Sequence, residues 1–572
     1  MLLSPLTGRD FLTRLPVLMN QKLFYSLILI ALGALFFIPF LGSVRLFDWD
    51  EINFAEAARE MIVLRDYLHV HINFKPFYEK PPLFFWLQSA MMNIFGINEF
   101  AARLPNAICG IISLVYLYNL GEKLHSHRFG LLWALAYLGS VTPHLYFRSG
   151  IIDPFFNLFI FIGLVNLILA SWKRERLGGG MTAPKSEWTY LLIGGFVLGL
   201  GILTKGPVAY LIVCLVLVIY WMLGRFRWFI TPVQFLTFSL AASVVSLAWY
   251  GLDVYLNGPA LMREFLAYNI RLFSTPDAGH VGFPGFHVIM LLVGCFPASI
   301  FAIRALGSLF IERNYQREFK RWMLILFWVV LVLFSLVQSK IVHYSSLCYF
   351  PLTYLAALTL VQLEERKIQF TNWMRVGLIV IGGIYVVALI GMPILAHHMD
   401  IVRQYADQDA FSQGNLDARI SWPWWTFIPG IWLVLVLIVA FRWYNQRETA
   451  QASIALFGGM AVFVTLTLWF FIGRMEGISQ AAAMEFFEQS QGQDVYVKTY
   501  GYHSYGPYFY TKKQPPANPN YYNDEWLLRG RIDKDVLFIR HASEGPTLLD
   551  SLPDIRKTGT KNGFVFYRRQ AR

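Results

Sequence analysis

Acids and lysines stand in short polar stretches between the apolar runs of this sequence. They are Asp50 and Glu51 in DWDEINF, Glu79 and Lys80 in FYEKPP, Asp153 in RSGIID, Lys205 in LTKGP, and Lys340 with Tyr344 in SKIVHY. A carboxylate can take or give a proton during a reaction, and a lysine can hold an anion such as phosphate. Each residue alone also has a structural reading. Asp50 and Glu51 open a helical stretch, EINFAEAARE, whose N-terminal dipole favours negative charge. Glu79 and Lys80 can form an exposed ion pair, which contributes little, held before the rigid Pro81 and Pro82 pair. Charges at membrane depth cost ~2.5–3.5 kcal/mol on insertion scales and are expected to be functional, although a single lysine can snorkel to water. The functional reading gains weight because all of these residues fall on one side of the same topology.

The elements that must position them are membrane spans. Of 572 residues, 56% are hydrophobic and 15% charged, a balance foreign to soluble globular domains. Apolar runs near the ~20 residues that cross a bilayer predict about thirteen spans. They centre on 24–42, 104–120, 129–146, 154–171, 189–204, 207–223, 229–249, 284–303, 322–337, 346–363, 374–393, 425–441 and 452–472. The first follows Arg9, Arg14 and Lys22; it is too long for a secretory signal core and lacks a small-residue cleavage site, so it reads as a retained span. The apolar segment 83–95 is short and reads as interfacial. With the N-terminus inside, every second loop carries the Lys and Arg excess of a cytoplasmic loop. That pattern explains the +12 net charge without nucleic acid, for which no basic stripe exists. Cys109, Cys214, Cys295 and Cys348 lie in or beside apolar runs with no metal spacing and carry no redox or metal role. GLGILTKGP at 199–207 lacks the GK[ST] ending of a phosphate loop, so its glycines read as close helix packing and Lys205 alone as a phosphate contact.

From about 480 onward the composition turns polar, and DVYVKTYG, DVLFIRH and NGFVFYRR read as strands between turn signals. The chain therefore divides into a membrane domain, 1–475, with outer loops 43–103 and 250–283, and a soluble α/β domain, 480–572. An odd span count puts that domain on the same outer face as the acids and lysines. The Tyr-rich YGYHSYGPYFY at 500–510 either packs in strands or contacts a substrate.

In this order, DWDEINFAEAAREM, FYEKPPLFFWL, FAARLPNA, RSGIIDPF and LTKGP, followed by further spans and an outer tail, resemble the bacterial aminoarabinose transferase and protein O-mannosyltransferase superfamily. These are polyprenyl-phosphate-dependent glycosyltransferases of the GT-C fold. The resemblance implies an α-helical polytopic protein of the bacterial inner membrane. It would transfer a sugar from a polyprenyl-phosphate donor to an envelope lipid such as a lipid A-like glycolipid, to a glycan or to a protein, on the periplasmic face. It implies catalytic roles for Asp50, Glu51 and Asp153, donor-phosphate contacts from Lys80, Lys205, Arg271 and Lys340, and substrate contacts from Tyr78 and Tyr344. Some members bind a divalent metal ion through the acid of the EKP motif and a histidine of the long outer loop. Here Glu79 is present, Asn269 stands where that histidine would align, and His280 is the nearest alternative. Phe54 also stands where many relatives have tyrosine. The other reading is a transporter or flippase of a lipid-linked substrate, which favours charges near the midplane and repeat-related broken helices; no internal repeat shows in the sequence.

Overall fold

The computed structural model describes residues 20–175, 185–274 and 282–571. Among them, nine helices are long and apolar enough to cross a bilayer, or ten when Phe286–Gly294 and Ala298–Leu306, bent by 118°, count as one span. The other three predicted spans are helical but shorter. Gln21–Phe37 and Val208–Leu223 have 17 and 16 residues, roughly 26 and 24 Å of helix against a hydrocarbon core of ~30 Å. The run 129–146 divides into His127–Leu138 and Val141–Tyr146, because Gly139 and Ser140 interrupt it. The expectation of about thirteen full spans is corrected on these three points.

Three helices set the end of the bundle where the lysines and acids meet: Asp153–Glu175, Glu187–Lys205 and Pro232–Asn257. Glycine lets the last two approach closely, since a Cβ on Gly199 would stand 2.6 Å from the Ala242 carbonyl oxygen. Glu187–Lys205 stops where it does because Gly206 takes φ +103°, a conformation L-residues rarely adopt, and any side chain there would also strike the Phe265 ring at 2.7 Å. Pro207 then starts the next helix. Lys205 is thereby fixed as the last residue of its helix.

Beyond the last span, four strands form a sheet in the order β3-β4-β6-β5, with β1 and β2 pairing separately as the two-residue ribbon His71–Ile72 and Lys75–Pro76. Strand β3 (Val495–Thr499) runs parallel to β4 (Asp535–His541), which pairs antiparallel with β6 (Phe564–Arg569), and β6 with β5 (Ile555–Lys561). Alternation along β4 divides its side chains between two cores. Val536 and Phe538 pack with Tyr521, Leu527 and Tyr567 in a core of the tail's own, while Leu537 and Ile539 join Phe487, Phe509 and the large core of the helical bundle. The tail is therefore seated on the membrane domain through one sheet face.

Candidate active site

The helix Asp50–Leu64 carries Asp50 as its first residue. Trp49, just before it, adopts φ 57° and ψ −82°, a strained conformation that costs of order 1–3 kcal/mol and persists only where its surroundings hold it. Asp50 opens onto a cavity of about 430 Å³ whose wall also includes Glu79, Lys80, Asp153, Lys205 and Tyr344. The sequence separates these residues by nearly three hundred positions, and the fold brings them together. The volume falls within the ~300–1,000 Å³ of small-molecule sites.

Within this cavity Lys205 Nζ donates to Asp153 Oδ1 at 2.7 Å, and the Asp153 side chain is only 3% exposed. Lys205 Nζ also lies 5.1 Å from the centre of the Tyr344 ring. In the same wall, Lys80 Nζ donates to the Tyr268 hydroxyl at 3.3 Å. His343 Nε2 stands 3.7 Å from Asp50 Oδ2 and 3.8 Å from Asp153 Oδ2, between the two carboxylates. Asp50 itself is 45% exposed at the side chain, far more than Asp153. The end holding Lys80 and Lys205 continues into a narrow apolar extension of about 70 Å³ between Phe156, Val208, Phe334 and Val337.

Other expected site residues are held differently. Glu51 lines the cavity, but its carboxylate is engaged in a buried network: Oε1 accepts from Arg103 Nε at 2.9 Å and the Gly150 amide at 2.6 Å, while Oε2 accepts from Arg103 Nη2 at 2.7 Å and the Phe47 amide at 3.0 Å. Burial pushes its carboxyl up, but Arg103 and the two amides outweigh that and hold it below the ordinary carboxylate range. Its acceptor positions are filled by the fold. Lys340 is turned aside, its Nζ donating to the carbonyls of Ser335 and Val337 at 2.6 and 2.5 Å, where the helix Asn314–Leu336 ends and leaves carbonyls unpaired. Tyr78 is not part of the cavity wall, whereas Phe77 is. Arg271 stands one residue removed, its guanidinium 5.4 Å from the ring centre of Tyr268, which does line the cavity. Asn269 lies in the helix Ala260–Ser274, and His280 lies outside the described residues. Among the described residues, no group of three or more His, Cys, Asp and Glu side chains is placed to hold a metal ion. Glu79 lines the cavity together with Lys80 and Lys205.

Sequence reasoning missed His343, Tyr268, Asn53 and Tyr505, all in the cavity wall. The signal for His343 was available: it lies between Lys340 and Tyr344 in a loop already singled out. Asn53 follows Asp50 by one helical turn and so shares its face. Tyr505 comes from the Tyr-rich stretch of the tail, and only the tertiary fold places it here.

With this geometry established, comparison with known proteins identifies the fold. Residues 79–249 match the family described as dolichyl-phosphate-mannose-protein mannosyltransferase. The crystal structure of ArnT from Cupriavidus metallidurans bound to undecaprenyl phosphate superposes with a TM-score of 0.75 at 17% identity, covering 95% of this chain and 98% of that one. The chain shares the fold of that structure. The apo form of the same ArnT gives a TM-score of 0.73 at 16% identity, over 96% and 98% of the two chains. Among sequence relatives, the undecaprenyl phosphate-alpha-4-amino-4-deoxy-L-arabinose arabinosyl transferase of Pseudomonas paraeruginosa is 30% identical over 353 residues, 60% of this chain and 61% of that protein. The enzyme of that name from Erwinia tasmaniensis is 27% identical over 337 residues, 58% and 59% of the two chains. The matched stretch thus spans about three fifths of these relatives' length. The α-helical GT-C fold and multi-span membrane character expected from the sequence hold.

Proposed function

We propose that this protein is a membrane glycosyltransferase that moves a sugar from a polyprenyl-phosphate donor to an envelope lipid, glycan or protein. The observation that carries the reading is the convergence of the half-exposed carboxylate of Asp50 with two lysines, Lys80 and Lys205, in a single cavity that opens into an apolar channel. The channel suits the first units of a polyprenyl chain, and the lysines suit the phosphate that joins chain to sugar. The names of the relatives support a polyprenyl-phosphate-linked donor.

In this reaction an acceptor oxygen attacks the anomeric carbon, the bond from that carbon to the phosphate oxygen breaks, and polyprenyl phosphate leaves. The acceptor's hydroxyl proton passes to Asp50, a base positioned at the cavity mouth; general base help is worth ~10²–10⁴ in rate. The phosphate goes from one formal negative charge to two as its bond to the sugar breaks. Lys80 and Lys205 therefore bind the departing group more strongly than the donor, which is the condition for lowering the barrier. Asp153 holds Lys205 in place, and His343 lies between Asp153 and Asp50, where it can orient the base.

The alternating Lys and Arg of the loops support a further reading, that the protein sits in the bacterial inner membrane with this cavity and the tail on the periplasmic face. Purified protein in nanodiscs, given a series of polyprenyl-phosphate sugars and an envelope extract, should release polyprenyl phosphate from one donor. Movement of labelled donor between leaflets with no release would instead support transport.

A further inference from the structure

We propose that the C-terminal tail positions the base: it clamps the strap Arg45–Trp49, with Asp48 as the positioning residue, so that Asp50 is presented to the cavity. The inference rests on the reading of Asp50 given above. The strap is held at nearly every residue. Arg45 grips Glu488 through Nε and Nη2, both at 2.9 Å, and reaches Glu476 at 3.4 Å. The Leu46 amide donates to the Tyr510 hydroxyl at 2.7 Å, and the Leu46 carbonyl accepts from Gln480 Nε2 at 2.8 Å. The Asp48 amide donates to Gln480 Oε1 at 3.1 Å, while Asp48 Oδ1 accepts the Tyr505 amide at 3.1 Å. The Trp49 ring lies against His503 and Tyr505, with ring centres 5.3 and 6.0 Å apart.

These contacts surround Trp49, whose φ is left-handed, and the next residue is Asp50. A left-handed φ on tryptophan relaxes unless its neighbours are fixed on both sides. On the far side the helix Asp50–Leu64 is anchored through Glu51 and Arg103; on the near side the tail is the anchor. Tyr505 reaches the cavity wall as well, so the segment that fixes the strap also shapes the site. The partners are some 430 to 465 residues apart in sequence, and three of the hydrogen bonds hold backbone groups of Leu46 and Asp48 directly.

The test uses the full chain in nanodiscs, with D48A, D48N and Y510F. Misplacing a reacting group by about 1 Å costs ~10²-fold in rate, so D48A should lower kcat by ~10- to 100-fold with donor KM and melting temperature unchanged. D48N keeps an oxygen to accept from the Tyr505 amide and should recover most of the rate. Hydrogen exchange should accelerate in peptide 44–53 for D48A and for Y510F, an isosteric change that carries the test if D48A does not fold. Wild-type kcat and exchange in D48A and Y510F would overturn the proposal, as would equal kcat losses in D48A and D48N. If the wild-type protein transfers no sugar, the functional reading fails, and the exchange measurement alone decides whether the tail clamps the strap.

Discussion

Replacing Glu51 by glutamine should damage the fold, whereas replacing the adjacent Asp50 by asparagine should damage the chemistry. Each Glu51 oxygen accepts one bond from Arg103 and one from a backbone amide, at 2.6 to 3.0 Å. Whichever oxygen becomes NH₂ in E51Q, it faces two donors, so one guanidinium bond and one backbone bond are lost together. Arg103 then keeps only the carbonyls of Leu41, Val44 and Arg45 around a buried charge. Removing one partner of such a pair costs ~3–5 kcal/mol. E51Q should therefore melt well below wild type, while its rate per folded molecule falls less than that of D50N. D50N changes a half-exposed carboxylate and should melt like wild type, with kcat down ~10²–10⁴-fold. Thermal unfolding in nanodiscs, paired with single-turnover transfer normalised to folded protein, reads both quantities. An E51Q that melts like wild type and loses transfer as fully as D50N would refute the structural assignment and return Glu51 to the chemistry.

Three other changes have definite outcomes. K205M should cost ~10²–10³-fold in kcat/KM for the donor, the scale of removing a group that stabilises developing charge. The double variant K205M/D153N should be little worse, because the two side chains act as one unit; fully multiplicative losses would contradict the 2.7 Å pairing. H343Q retains an N–H that can reach either carboxylate and should lose less activity than H343A, and equal losses would show that the imidazole does more than orient Asp50. Burial, with Glu56 alongside, pushes the Glu60 carboxyl up to about 9, against ~4.3 unfolded. The folded state then holds the extra proton between those values, so wild type should lose stability relative to E60Q as pH rises from 5 to 9; a constant difference in melting temperature would refute this.

The residues that the sequence placed correctly are those whose neighbours fix where they point. Lys205 ends a helix because Gly and Pro follow it, and Asp153 begins one, so both remain at the bundle end. Direction failed where a side chain had two possible targets. Glu51 and Lys340 sit in the right loops, but a buried arginine claims one and the unpaired carbonyls at a helix end claim the other. Neither competitor can be weighed without the packed structure. The clamp on Arg45–Trp49 was out of reach for a different reason: its partners lie in the tail, and hydrogen bonds over such separations leave no periodicity to read. The two-core sheet was only half visible, since alternation along DVLFIRH announces two faces but not that both are covered.

The decisive comparison is wild type against D50N, by mass spectrometry of donor and products after incubation in nanodiscs with polyprenyl-phosphate sugars and envelope lipids. Wild type should convert one donor to free polyprenyl phosphate and add one sugar mass to an acceptor, and equally folded D50N should do neither at a comparable rate. Sugar transfer at the wild-type rate by D50N would contradict the assignment of Asp50 as the base.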